Sequence, residues 1–275
     1  MNQLPSIRLL TSVVGRDLRL LLASRATLIP LVVLPLVIFA GLPLLVGLVP
    51  GALNLPGGDQ QQLLSLLPAA LPADTLAALP DDPEAQVATI LLVSLLAPIL
   101  LVVPVILATV AAASAIAGER ERRTLELLLL SPITDRQLLL AKTIGAWLPA
   151  VTVSLLGALV YQGIATALLA GHGVRPFPNL LFTLLMGWVA PALAAVALLA
   201  VVVVSGRTPT VQDAIQLGGV LVLPLIGLLV AQSAGVLLLA PVHAAAGGAV
   251  LWLFAAGLLH AGSRALSRDL LATRL

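Results

Sequence analysis

The sequence predicts an all-α polytopic membrane protein. It is expected to have six transmembrane helices, an N-terminal interfacial amphipathic helix and a cytoplasmic hairpin between spans two and three. Three observations carry this expectation. The 275 residues are 60% hydrophobic and only 9% charged, with a mean hydropathy of +1.14, far too few polar side chains to cover a soluble domain of that length. Apolar runs of at least about 18 residues recur, the length a helix needs to cross hydrocarbon. These runs are continuous rather than alternating, which argues against a transmembrane β-barrel.

Each element follows from local pattern. Over residues 5–25, Leu9, Leu10, Val13, Val14, Leu18, Leu21 and Leu22 recur at helical spacing, with Arg8, Arg16, Asp17 and Arg19 on the other side. That is the pattern of a helix lying in the membrane interface. The first span is expected at about Leu28–Val49, bent by Pro30, Pro35 and Pro43. A loop rich in Pro and Gly, residues 50–86, carries Asp59, Asp74, Asp81, Asp82 and Glu84. The second span is expected at 87–117 and to be tilted, kinked at Pro98 or Pro104, or protruding, because a straight helix of that length would measure roughly 46 Å. The third and fourth spans, 143–170 and 179–205, are joined by a turn at 171–178. The fifth and sixth, 214–240 and 244–261, are separated by Pro241 and His243, and an arginine-bearing tail follows.

Between spans two and three lies a dense island of charge. Five of the six residues from Glu119 to Thr124 are charged. Glu119 and Arg123 are four apart, as are Arg122 and Glu126, so opposite charges meet on a helix surface. The pattern then turns apolar at Leu125 and Leu127–Leu130. Ser131-Pro132 ends the helix, since the residue before proline is disfavoured from helix. Thr134 and Gln137 have capping-box spacing, so a second short helix is expected to begin there. On these residues alone, a solvated hairpin that fixes topology is as good a reading as a docking element.

Six spans would put both termini on one side with residues 118–142 and 206–213. That side holds thirteen of the fourteen basic residues against seven acidic ones, and the other holds Arg175 against five acidic ones. The excess of basic residues in cytoplasmic loops places both termini in the cytoplasm. Thirteen of the fourteen are arginine, with Lys142 the single lysine, a bias that suits a prokaryotic cell (inner) membrane protein. No cleavable signal peptide is read from the pattern, because the first apolar run is too long for one. The pI near 9.9 reflects topology rather than nucleic-acid binding, since no basic face with interleaved aromatic residues exists. With no cysteine there is no disulfide framework or thiolate metal site.

The stretch Glu119-Arg-Glu-Arg-Arg-Thr-Leu-Glu-Leu-Leu-Leu-Leu-Ser-Pro132, followed by Leu139-Leu140-Ala-Lys142, closely resembles the ABC type-2 permeases. The N-terminal residues Arg16-Asp-Leu-Arg19 and the pair Leu34-Pro35 are similar as well. The motif-level resemblance covers about residues 115–142, and the layout nearly the whole chain. One departure is Arg123, where the family usually carries glycine. The resemblance implies that this segment is a coupling hairpin docking on a separate ATP-binding cassette ATPase subunit. Glu119, Arg120, Glu121, Arg122, Arg123, Thr124 and Glu126 would form the coupling surface, with Thr134, Asp135 and Arg136 beside it. The interfacial helix bearing Arg16 and Arg19 would move along that interface. The working unit implied is a dimer with a second permease copy or paralogue, in contact with membrane lipids.

The sequence contains no Gly-x-x-x-x-Gly-Lys-[Ser/Thr], the loop that cradles nucleotide phosphates. No cofactor is therefore expected on this chain, and ATP with its Mg would sit on the partner subunit. The importer-type loop is missing too, which favours export. The middles of the spans lack Asp, Glu, Lys and Arg, which weighs against an ion-coupled secondary transporter. That transporter and a non-transporting membrane scaffold are the alternatives. Gln162, Gln216 and Gln232 suit helix–helix hydrogen bonds. His172, His243 and His260 lie near span ends, and Trp147, Trp188 and Trp252 suit interface or packing positions.

Overall fold

A computed structural model describes residues 25–48, 83–121, 135–205 and 240–265, together with the isolated positions 15, 216, 219, 220, 223, 224, 226 and 227. The described residues are helical with no strand, and five helices are long and apolar enough to cross a membrane: Leu28–Gly47, Ala85–Ser114, Leu140–Ala170, Leu180–Val203 and Pro241–Gly262. They coincide with five of the six expected spans. The expected fifth, 214–240, and the interfacial helix at 5–25 lie almost wholly outside the described residues.

Three spans are interrupted in the same way. The first runs as an α-helix over Arg25–Pro35, a π-helical turn over Leu36–Gly41 and an α-helix again over Leu42–Leu48. The second carries a π turn at Leu91–Leu95 and the fourth at Leu185–Val189. Each closes with an amide reaching back five residues: Leu42 to Val37, Leu96 to Leu91 and Ala190 to Leu185. Each is followed within three residues by a proline, namely Pro43, Pro98 or Pro191. Proline has no N–H to give, and its ring crowds the carbonyl four residues back. Widening the preceding turn relieves that crowding without breaking the helix.

At Pro98 the relief is incomplete. After the π turn come a bend at Leu96, the four-residue helix Ala97–Leu100 and a turn at Leu101, before Val102–Glu121 resumes. The Leu101 amide reaches only to the Pro98 carbonyl, at 3.1 Å, so the regular ladder stops there. Of the two kink sites expected, Pro98 is the one realised. Pro104 sits in the first turn of the next helix, where no ladder bond is lost.

The third span differs. Asp135–Ala170 is one helix of 36 residues with Pro149 inside it. From Asp135 on, the residues where a separate short helix is expected are continuous with the third span, and Thr134 itself lies outside the described residues. The helix ends in a Schellman motif, with Gly173 at φ 71° donating to Ala170 O and Val174 donating to Leu169 O; a left-handed residue there favours glycine. Asn179 then caps the fourth span by accepting from the Phe182 amide at 3.2 Å. The last helix, Pro241–Ala265, opens with proline in its first turn, and His243 Nδ1 accepts from the Ala240 amide at 3.2 Å.

Val102–Glu121 and Ala190–Ser205 pack on each other at the centre, and both contact the third span. Buried Ala108, Ala111, Ala112 and Ala113 meet a fourth span carrying buried Ala190, Ala192, Ala194 and Ala197. Small side chains let backbones approach closely where lipid gives no hydrophobic drive for association. The first, third and last spans are peripheral and present apolar side chains outward, among them Leu45, Leu159 and Leu253. That arrangement is what a lipid-facing surface requires.

Candidate functional site

The charged island is held between two described helix ends. Glu119, Arg120 and Glu121 form the last turn of Val102–Glu121, while Asp135 and Arg136 form the first turn of Asp135–Ala170. The two helices pack against each other, so a movement at either end has a helical path into the bundle. Arg122, Arg123, Thr124, Glu126 and Thr134 lie outside the described residues, as do Arg16 and Arg19. Lys142, expected near the start of the third span, is buried at 6% exposure two turns into that helix.

Within the five spans the described residues carry no other charged side chain. The hydroxyls of Thr89, Thr109, Ser114 and Ser154 each donate to a carbonyl four residues back in their own helix, at 2.7–2.8 Å. Each of these donors is thus satisfied within its own helix. Gln216 is exposed, and Gln232 lies outside the described residues. No cluster of metal-ligating side chains occurs among the described residues.

Specific long-range contacts converge on the third span. Gly157 leaves room for the Phe39 ring, which sits in the first π turn. The Tyr161 hydroxyl donates to Leu92 O in the second π turn at 2.6 Å. Trp147 Nε1 donates to Pro191 O, just past the third, at 2.9 Å. One uninterrupted helix thus touches the first, second and fourth spans at or beside their π turns.

The three tryptophans form one group. Trp147 and Trp252 have centroids 6.4 Å apart edge-to-face, and Trp188 and Trp252 lie 6.0 Å apart. Trp188 Nε1 donates to Ala245 O at 3.2 Å, and its ring lies against Gly248. The packing role expected of these residues is therefore met by mutual contact across three spans. Tyr161 was not singled out by the sequence analysis. Being the chain's single tyrosine inside an apolar span is the signal that marks it, since a buried phenol needs an acceptor.

These features define a polytopic α-helical membrane protein whose one dense charge cluster sits between two helices that enter the bundle core. A family model described as "ABC-2 family transporter protein" matches residues 11–260, and the chain belongs to that family, as the resemblance at Glu119–Lys142 led us to expect. No curated protein matches the chain. Membership makes it a membrane component of an ABC transporter, with no catalysis of its own implied.

Proposed function

We propose that this chain is the permease subunit of an ATP-driven exporter, using ATP hydrolysed by a separate ATP-binding subunit. The observation that carries the reading is the position of the charged island. It joins Glu121, at the end of the central second span, to Asp135, at the start of the helix that contacts all three π turns. A docked ATPase pushing on this segment would move the second and third spans directly. The working unit is a dimer of permease subunits in a prokaryotic cell membrane, with termini and island in the cytoplasm. Cargo is hydrophobic or amphipathic, because the described spans carry a single charged side chain, the buried Lys142, instead of a charged lining.

The test is purification of the tagged chain from its host in mild detergent, scoring co-purified proteins and vanadate-sensitive ATPase activity, beside a Glu119→Ala/Glu126→Ala variant. A stoichiometric ATP-binding subunit, weakened or uncoupled by the variant, is the expected result. A chain that purifies alone, without ATPase activity, would return the secondary-transporter and scaffold readings to the front.

A further inference from the structure

Tyr161 is fully buried, and its ring is fixed from two sides. It stacks on Phe182 with centroids 5.7 Å apart and meets the edge of Phe177 at 6.4 Å. Phe177 belongs to the connection between the third and fourth spans, and Phe182 to the first turn of the fourth. The hydroxyl is thus held by the third–fourth hairpin, and it is offered to one acceptor, Leu92 O, on the second span. In hydrocarbon no water replaces a lost partner, so this bond ties the leading part of the second span, Pro83–Leu95, to the hairpin.

Immediately beyond the tie, the second span loses its regular ladder. Between Leu96 and Leu101 the bonds run over three residues as well as four, Ile99 to Leu96 and Leu101 to Pro98. The trailing part, Val102–Glu121, then runs on to the charged island. The span is two helices joined by a weak link, only the first of which is pinned by Tyr161. The third span, by contrast, is continuous past its own proline.

We propose that Tyr161 is a positioning residue that locks the leading half of the second span to the third–fourth hairpin, and that Leu96–Leu101 is the hinge about which the two halves change angle. The source of that change, a partner ATPase at the island, rests on the function proposed above; the lock and the hinge rest on geometry alone. The consequence is that the second span changes angle within the membrane instead of moving as one rod.

The chain has no native cysteine, so spin-label pairs can be introduced cleanly into the full-length protein in nanodiscs. Ala88→Cys with Leu159→Cys reports the lock, and Ala88→Cys with Ile106→Cys reports the angle across the hinge. Ile144→Cys with Leu159→Cys, within the continuous third helix, is the rigid reference. The hinge pair should give a broader distance distribution than the reference, and should shift with ATP and vanadate when an ATP-binding subunit is present. The lock pair should stay narrow in both states. Tyr161→Phe, which keeps the ring stack, should raise the detached fraction at the lock pair roughly fivefold, the factor expected for one buried hydrogen bond. An unaltered lock pair in Tyr161→Phe overturns the lock, and a hinge pair as narrow as the reference overturns the hinge. If no ATPase co-purifies, the permease reading fails, while the distribution widths still decide lock and hinge.

Discussion

The ring of Phe39 occupies the space that a side chain at position 157 would need: a Cβ built on Gly157 collides with Phe39 Cδ2, Cε2 and Cγ. Phe39 is 1% exposed and lies in the first π turn, so it cannot swing away as a surface side chain would. Gly157→Leu should therefore destabilise the chain by roughly 1–3 kcal/mol through overpacking. The midpoint of thermal unfolding in one detergent measures it. Phe39→Leu combined with Gly157→Ala should recover part of what Gly157→Ala alone loses, because contacting residues are not additive. Strict additivity would show that the two do not share this space.

The tryptophan group offers a comparison at matched volume. Trp147 Nε1 has a carbonyl partner, whereas Trp252 Nε1 is buried with no partner among the described residues. Exchange to phenylalanine removes the same ring fragment from each. Trp147→Phe should be the more destabilising by about 1 kcal/mol, the net value of one hydrogen bond. Equal losses, or the reverse order, would reveal a partner for Trp252 outside the described residues.

Much of this fold was legible because hydrophobic length is a local signal. The first, second, third, fourth and last spans fall within a few residues of their expected positions, and the Asn179 and Gly173 turn chemistry explains where the third–fourth connection sits. Prolines were legible as irregularities but not in kind. Nothing in Pro43, Pro98, Pro149 or Pro191 alone says which becomes a π turn, which a break and which a passenger in an unbroken helix, because neighbouring spans decide how the freed carbonyls are satisfied. Tyr161 escaped attention for the same reason: its acceptor is 69 residues away, beyond any periodicity. Of the residues expected at the coupling surface, Glu119, Arg120 and Glu121 fall in the last described turn of Val102–Glu121, and Asp135 and Arg136 in the first described turn of Asp135–Ala170. The others and the interfacial helix lie outside the described residues.

Thr143 presents the opposite case to the satisfied hydroxyls. Its Oγ1 is buried with no hydrogen-bond partner among the described residues, beside the buried Lys142. A buried hydroxyl without an acceptor costs about 1–3 kcal/mol. Thr143→Val, equal in shape, should leave the unfolding midpoint unchanged or raise it. Ser154→Ala should be nearly neutral, because its hydroxyl only back-bonds within its own helix. A clear loss in Thr143→Val would mean that this hydroxyl serves a contact made by the chain's other residues or by a partner.

The last prediction concerns which way round the bundle sits. On the excess of basic residues, the island is expected inside and the turn at 171–178 outside. His172 and Gly173 are exposed at the tip of the third–fourth connection, while Glu121 is the last described residue of the helix that leads into the island. With no native cysteine, His172→Cys should react with a membrane-impermeant maleimide in intact cells. Glu121→Cys should react only after the membrane is opened. The orientation matters beyond topology, because the proposed ATP-binding subunit would draw on the nucleotide of the cytoplasm and would have to meet the island there. The reverse labelling pattern would put the island on the wrong side for any ATPase. It would overturn the coupling function proposed for Glu119–Arg136 while leaving the helical packing intact.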